Sequence, residues 1–118
     1  MSAAGTVGPA LCRLDALPDG GSIALRDPRQ PAGSWEPNIA LVRRDGAVFA
    51  YRNDCPHRNT PLDLDDGRIL SPDGAYIMCR THGALFAIDT GLCIAGPCAG
   101  DRLTAVSVAV IDGEVRLA

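Results

Sequence analysis

The chain has 118 residues, a length that suits a single domain with one hydrophobic core. Hydrophobic residues make up 47% of the sequence but aromatic residues only 4%, so the core must be built mainly from Val, Leu, Ile and Ala. The formal net charge of -3, without any run of Lys or Arg, argues against nucleic-acid binding.

The start of the chain predicts neither secretion nor membrane insertion. Residues 1–9 have no basic beginning and no continuous apolar stretch, as a signal peptide would require. No segment approaches the roughly 18 apolar residues of a membrane span. We therefore expect a soluble, cytoplasmic protein with no membrane partner.

Short strands separated by turns are predicted in the first third of the chain. Apolar and polar side chains alternate over residues 11–17, which indicates a half-buried strand. A turn rich in Pro, Asp and Gly follows, and residues 22–26 are predicted as a second strand. Residues 27–37 have the composition of a loop, and we expect Trp35 to anchor that loop against the rest of the protein.

A β-hairpin is predicted next. Residues 39–42 and 47–51 resemble strands, and Asp45-Gly46 between them is a strong hairpin signal. The carboxylates at positions 63, 65 and 66 then predict a solvated loop.

The second half of the chain is also predicted to form short strands, and it shows no sustained helical periodicity. Five further short strands are predicted, at residues 68–70, 76–78, 84–88, 104–111 and 114–117, the last two joined by a turn at Asp112-Gly113. In the longest, Val106, Val108 and Val110 are expected to share one face. The sequence thus predicts an all-β fold for residues 1–118, a strand sandwich with a smaller lobe inserted at about residues 54–98.

Two motifs inside that lobe carry the chemistry. Cys55 and His57 are separated by one residue, and Cys79 and His82 by two, and these motifs hold both histidines of the chain. One thiolate and one imidazole from each of two loops suit a single inorganic centre held between them. An accidental scatter of buried thiols would not explain why both histidines fall at ligand spacing.

The pattern C-x-H followed by C-x-x-H resembles the Rieske proteins. In that family a [2Fe-2S] cluster has two Cys on one iron and two His on the other. The resemblance implies that Cys55 and Cys79 hold the inner iron and that His57 and His82 hold the outer one. It extends to Gly96-Pro97-Cys98, which is similar to the proline-containing third loop that shields the cluster.

A structural zinc site is the main alternative, because two Cys and two His also satisfy tetrahedral zinc. Zinc sites of this composition usually pair two close Cys and then two His on a helix, whereas each loop here offers one of each. Gly83 directly after His82 also argues against a helix there.

The resemblance implies a soluble one-electron carrier, which accepts electrons from a flavin-dependent reductase and passes them to a terminal oxygenase. No Gly-rich nucleotide loop and no spare His for a mononuclear iron site accompany the motifs, so we expect an electron-transfer component and not an enzyme. Two alternatives remain: a Rieske-like small subunit of a larger oxidoreductase such as nitrite reductase, and a zinc-stabilised binding module.

The resemblance also predicts a low reduction potential. High-potential Rieske proteins carry an extra Cys in each ligand loop, and Ser and Tyr hydroxyls that donate hydrogen bonds to the cluster. The matching positions here are Thr60, Thr81, Ala84 and Phe86, none of which supplies those groups.

Three cysteines lie outside the ligand motifs: Cys12, Cys93 and Cys98. An odd number of remaining cysteines, in a chain without a secretion signal, is typical of reduced thiols and not of a set of disulfide bonds. The closeness of Cys93 and Cys98 suggests a redox switch, but packing as buried thiols is the interpretation that the sequence favours.

Overall fold

The computed structural model describes residues 8–29, 39–56, 61–63, 67–80 and 83–118. These ranges hold nine β-strands and one short 3-10 helix of residues Leu14–Ala16. The strands are β1 (Ala10–Arg13), β2 (Gly21–Leu25), β3 (Ile39–Arg44), β4 (Ala47–Arg52), β5 (Ile77–Met78), β6 (Leu85–Phe86), β7 (Cys93–Ala95), β8 (Val108–Ile111) and β9 (Glu114–Leu117). No helix in the described ranges is long and apolar enough to cross a bilayer.

The strands form three antiparallel sheets of three strands each. Their orders are β1-β9-β8, β2-β3-β4 and β5-β6-β7. The third sheet lies between residues 77 and 95, within the segment in which the sequence predicted a separate lobe. The predicted all-β fold is therefore confirmed.

Strand β3 divides the hydrophobic interior into two clusters. Successive side chains of a strand point to opposite faces, and all four residues from Ile39 to Val42 are fully buried. Ile39 and Leu41 belong to a cluster with residues of β4 and β9, whereas Ala40 and Val42 belong to the cluster that contains Cys55. The β2-β3-β4 sheet thus contributes to both clusters. We call the cluster of Ile39 and Leu41 the sandwich core; the other surrounds Cys55.

Both predicted Asp-Gly turns are present. Asp45 and Gly46 have φ of 52° and 82°, and Asp112 and Gly113 have φ of 51° and 75°. Two consecutive positive φ angles are what a type I′ hairpin turn requires, and Asp-Gly satisfies this requirement at low strain. The strands on either side pair in direct register, β3 with β4 and β8 with β9.

The strand predicted over residues 11–17 is wrong in its second half. Strand β1 ends at Arg13, and Leu14–Ala16 form a 3-10 turn in which the amide of Leu17 donates to the carbonyl of Leu14. This turn places Leu17 in the sandwich core with no solvent exposure. The burial of the Leu17 side chain therefore decides the local structure here, and the alternation of apolar and polar residues does not.

The strand predicted over residues 104–111 is shorter in the structure, where β8 begins at Val108. Before it, Ala105 makes an isolated antiparallel bridge to Tyr51 of β4. Val106 and Val108 pack against the sandwich core, whereas Val110 is 44% exposed.

Strands in the third sheet are also shorter than predicted. The strand expected over residues 84–88 is reduced to Leu85–Phe86, and that expected over residues 68–70 to a single bridge from Leu70 to Ile77. Strand β7 was not predicted. In the predicted loop at 27–37 the described residues are 27–29, so the expected role of Trp35 lies outside the described residues.

Candidate metal centre

The two predicted cysteine ligands lie in one buried cluster. Cys55 follows β4 after two residues, and Cys79 directly follows β5. Neither side chain has any solvent exposure, both belong to the same hydrophobic cluster, and neither is in a disulfide bond. The topology therefore brings these two distant segments into the same core.

The second ligand segment is held by a tight turn. The amide of Cys79 donates to the carbonyl of Ala84 at 2.9 Å, and the amide of Gly83 donates to the carbonyl of Cys79 at 2.7 Å. Gly83 has a φ of 76°, a left-handed conformation that glycine adopts without strain. These bonds lie at the end of the antiparallel pair of β5 and β6.

The predicted histidine ligands, His57 and His82, lie outside the described residues. Within the described ranges no group of three or more His, Cys, Asp or Glu side chains is arranged to hold a metal ion. The predicted centre takes half of its four ligands from the two histidines, so their part in it stays a prediction.

Asn53 connects the start of the first ligand segment to residues 62 and 63. Its carboxamide oxygen accepts a hydrogen bond from the amide of Leu62 at 2.8 Å, and its carboxamide nitrogen donates to Asp63 at 3.0 Å. Asp63 in turn accepts from the amide of Gly67 at 2.9 Å. These bonds close the loop that begins at Cys55, and Asn53 is only 1% exposed.

The same residues join the two ligand segments to each other. The carbonyl of Leu62, whose amide binds Asn53, accepts a hydrogen bond from the amide of Arg80 at 2.8 Å. Arg80 directly follows Cys79. A chain of two hydrogen bonds through Leu62 therefore connects Asn53, two residues before one cysteine, to the residue that follows the other.

The third loop packs closely on the second ligand segment. A Cβ atom added to Gly96, whose φ is 103°, would lie 2.8 Å from the Cα of Ala84 and 3.2 Å from its Cβ. Real Cβ atoms do not approach backbone atoms so closely, so this contact requires glycine. Cys98 in the same loop is 3% exposed and shares the cluster with Cys55. The third loop thus packs against the second ligand segment.

Tyr51 is a buried side chain of β4, close in sequence to the first ligand segment. Its hydroxyl donates to the carbonyl of Ile88 at 2.6 Å, which joins β4 to the segment after β6. Burial, together with the nearby carboxylate of Asp89, raises the pKa of the Tyr51 phenol, so the group remains a neutral donor near pH 7. Sequence reasoning found neither Tyr51 nor Asn53; the only available signal was their position just before Cys55.

The surroundings of Cys98, in the third loop, favour an uncharged thiol. Burial, then the hydrogen bond and charge of Cys93, and then Cys55, raise the pKa of Cys98 to about 12. Burial also raises the pKa of Asp54, the neighbour of Cys55, although Arg52 opposes the shift, and one carboxylate oxygen of Asp54 has no hydrogen-bond partner. Two thiolates in such a pocket need a compensating positive charge. The buried thiols therefore fit the thiolate-ligated iron of a mixed Cys and His cluster.

Comparison with known proteins decides the family. A sequence model of the Rieske [2Fe-2S] domain matches residues 15–111 of the chain. The chain belongs to the Rieske [2Fe-2S] domain family.

Relatives of this Rieske domain are ferredoxins. The chain is 32% identical over 107 residues to the 3-phenylpropionate/cinnamic acid dioxygenase ferredoxin subunit of Photorhabdus laumondii, with 91% of this chain and 90% of that protein covered. It is 33% identical to the Sphingomonas yanoikuyae B1 ferredoxin, with a TM-score of 0.71 and 93% and 96% of the two chains covered. It is 25% identical to the ferredoxin of carbazole 1,9a-dioxygenase from Nocardioides aromaticivorans IC177, with a TM-score of 0.69 over 93% and 95%.

These relatives confirm several predictions for this Rieske domain. The cofactor is a Rieske-type [2Fe-2S] cluster, which excludes the zinc alternative. The protein is an electron-transfer component rather than an enzyme, since the relatives are named as ferredoxins. The chain covers 90% to 96% of these ferredoxins.

Proposed function

We propose that this chain carries single electrons from a flavin-dependent reductase to the terminal oxygenase of a dioxygenase system. The observation that carries the proposal is its likeness, over nine-tenths of both sequences, to a dioxygenase ferredoxin subunit. A carrier needs a cofactor that is held firmly, and the hydrogen bonds that join the two ligand segments through Leu62 support this role.

We assign the ligands residue by residue. Cys55 and Cys79 hold the buried iron, which accounts for two thiols without solvent exposure in one cluster. His57 and His82 hold the outer iron, because the chain contains no other imidazole. Two thiolates, two sulfides and two neutral imidazoles balance the charge of two ferric ions, so that reduction is easier than in an all-cysteine cluster.

We further assign the whole chain, residues 1–118, to a single Rieske domain with a cluster-binding lobe at about residues 54–98. Three loops of that lobe support this division, since the third loop packs on Ala84 and the first two are joined through Leu62. We place the protein in the cytoplasm, where a flavoprotein reductase and an oxygenase would reach it, and expect no nucleic-acid or membrane partner.

The ligand assignment is tested by metal content and spectra. Protein purified without oxygen should contain equal iron and sulfide, and its visible absorption should bleach on reduction with dithionite. Cys55→Ser and Cys79→Ser should each abolish the cluster. Cys12→Ser is the matched control, because Cys12 lies in β1 and packs against the sandwich core. A normal cluster in either ligand variant would overturn the assignment.

The histidine assignment has its own test. The chain contains two histidines in all. Pulsed electron paramagnetic resonance on reduced protein with nitrogen-15 histidine should therefore detect two strongly coupled nitrogen nuclei. One coupled nucleus, or none, would show that His57 or His82 is not a ligand.

Electron transfer is tested with the two partners. Stopped-flow absorption should show the cluster reduced by a dioxygenase reductase and reoxidised by the matching terminal oxygenase in its oxidised state, with each step dependent on concentration. Tight, permanent association with a large oxidoreductase, without exchange between partners, would instead support the small-subunit alternative.

A further inference from the structure

Two cysteines outside the predicted ligand set face each other across the third loop. The Sγ atoms of Cys93 and Cys98 are 3.0 Å apart, and each residue is 3% exposed. The thiol of Cys98 donates to the sulfur of Cys93, and the thiol of Cys93 donates to the carbonyl of Ala95 at 3.3 Å. The two side chains therefore form a short chain of hydrogen bonds instead of packing independently.

The backbone already holds these two positions together. The amide of Cys93 donates to the carbonyl of Asp101 at 2.8 Å, and the amide of Gly100 donates to the carbonyl of Cys93 at 3.2 Å. The amide of Asp101 also donates to the carbonyl of Cys98 at 2.9 Å. These backbone hydrogen bonds hold Cys93 and Cys98 close to each other. From their distance of 3.0 Å, the two sulfurs need to approach by only about 1 Å to reach the length of a disulfide bond.

We propose that Cys93 and Cys98 are a dithiol–disulfide pair, whose oxidation fastens the third loop over the cluster site. With a small-molecule disulfide as oxidant, the thiolate of one cysteine attacks a sulfur of the oxidant and releases one thiol. The second cysteine then attacks the mixed disulfide and releases the other thiol. Two protein thiols lose two electrons and two protons in total, and the oxidant becomes two thiols.

Oxidation removes one hydrogen bond to the backbone. Its acceptor is the carbonyl of Ala95, a residue that is exposed to solvent. The disulfide would span Gly96, whose backbone lies against Ala84 directly beside the second ligand segment. A covalent link at this place restrains the opening of the loop, and hence access to the cluster.

The test uses the holoprotein without oxygen in buffers of reduced and oxidised glutathione, at ratios from fully reducing to fully oxidising. Each sample is incubated until the result is the same from reduced and oxidised starting protein, then blocked with a thiol reagent and digested with trypsin. Cleavage at arginine places Cys93 and Cys98 in one peptide, residues 81–102, and Cys55 and Cys79 in two others.

We expect the 81–102 peptide to become lighter by two hydrogens and to lose both blocking groups as the buffer becomes oxidising. The change should persist in Cys12→Ser, be absent in Cys93→Ser and in Cys98→Ser, and reverse with reduced glutathione. Two blocked thiols in this peptide at every ratio would overturn the proposal.

A second measurement tests the effect on the loop. Release of iron to a colorimetric chelator should be about threefold slower, or more, from the disulfide form than from the dithiol form. The two forms of Cys12→Ser should differ by the same factor, and the two single-serine variants should release iron at one rate in both buffers. Equal release from both forms of the wild-type protein would overturn the fastening role. Neither result depends on the identity of the electron-transfer partners.

Discussion

The carboxamide oxygen of Asn53 accepts a hydrogen bond from the backbone amide of Leu62 at 2.8 Å. Through this bond the residue at the end of the β3–β4 hairpin holds the far side of the first ligand loop. The carbonyl of Leu62 holds the second loop by accepting from Arg80. The side chain of Asn53 therefore helps to link the two segments that contain Cys55 and Cys79.

We predict that Asn53→Ala destabilises the protein by about 2 kcal/mol, because it leaves the buried amide of Leu62 and an oxygen of Asp63 without their partner. Iron release to a chelator should also become faster. Urea unfolding, followed by cluster absorption, measures the first effect. Ser107→Ala is the control, since Ser107 is exposed and its backbone carbonyl makes the bond that the structure records. Equal stability of Asn53→Ala and the control would contradict the assigned role.

We predict that Gly96→Ala destabilises the protein by about 2 kcal/mol or more and displaces the third loop. Gly100 is a close control, because its φ of 95° is similar to the 103° of Gly96 but an added Cβ would meet nothing within 4 Å. Gly100→Ala therefore reports the cost of backbone strain alone, about 1 kcal/mol. Thermal unfolding of both variants separates the two costs. If they are equally stable, the contact between Gly96 and Ala84 has no energetic consequence.

Local sequence signals predicted the parts of the fold that depend on local chemistry. The Asp-Gly turns at 45–46 and 112–113 are examples, because few other dipeptides accept two positive φ angles in succession. The candidate site was found through the spacing of Cys and His, which is set by coordination and needs no knowledge of packing.

Signals that depend on tertiary contacts were missed. The alternation over residues 11–17 gave no warning of the 3-10 turn, which the burial of Leu17 stabilises. Nothing in the sequence around Asn53 indicates its partner Leu62, which is nine residues away. The distance between Cys93 and Cys98 likewise depends on how the third loop folds back, which spacing alone does not determine.

We predict a pH-dependent contribution from Asp27, a fully buried carboxylate after β2. It accepts hydrogen bonds from the guanidinium and the amide of Arg29, at 2.8 to 3.3 Å, and from Arg52 at 3.3 Å. The side-chain hydrogen bond with Arg29 is the main cause that lowers the pKa of Asp27, against the opposing effect of burial.

Because the folded pKa lies below the unfolded one, Asp27 stabilises the fold above the ordinary carboxyl range. This stabilisation is lost as the pH falls through the folded pKa. Asp27→Asn should therefore cost about 1 to 2 kcal/mol at pH 7, and the difference from wild type should shrink in acid. Asp15→Asn is the control, since its ion pair with Arg13 is exposed and should contribute little. Urea unfolding at several pH values would contradict this account if the Asp27→Asn difference stayed constant.

The last prediction concerns the reduction potential, and it rests on the proposed ligand set. Ala84 and Phe86 are both fully buried in the cluster of Cys55 and Cys79, and neither has a hydroxyl group. A Ser or Tyr hydroxyl that donates to cluster sulfur or a thiolate stabilises the reduced, more negative state.

Ala84→Ser combined with Phe86→Tyr should therefore raise the midpoint potential. A hydrogen bond to a charged group contributes about 1.5 to 3 kcal/mol, or roughly 60 to 130 mV for one electron. Protein-film voltammetry measures the change, and each single variant shows which hydroxyl is responsible. Ala47→Ser, at the exposed start of β4, is the control and should leave the potential unchanged. An unchanged or lower potential in the double variant would mean that these positions do not set the potential through hydrogen bonds.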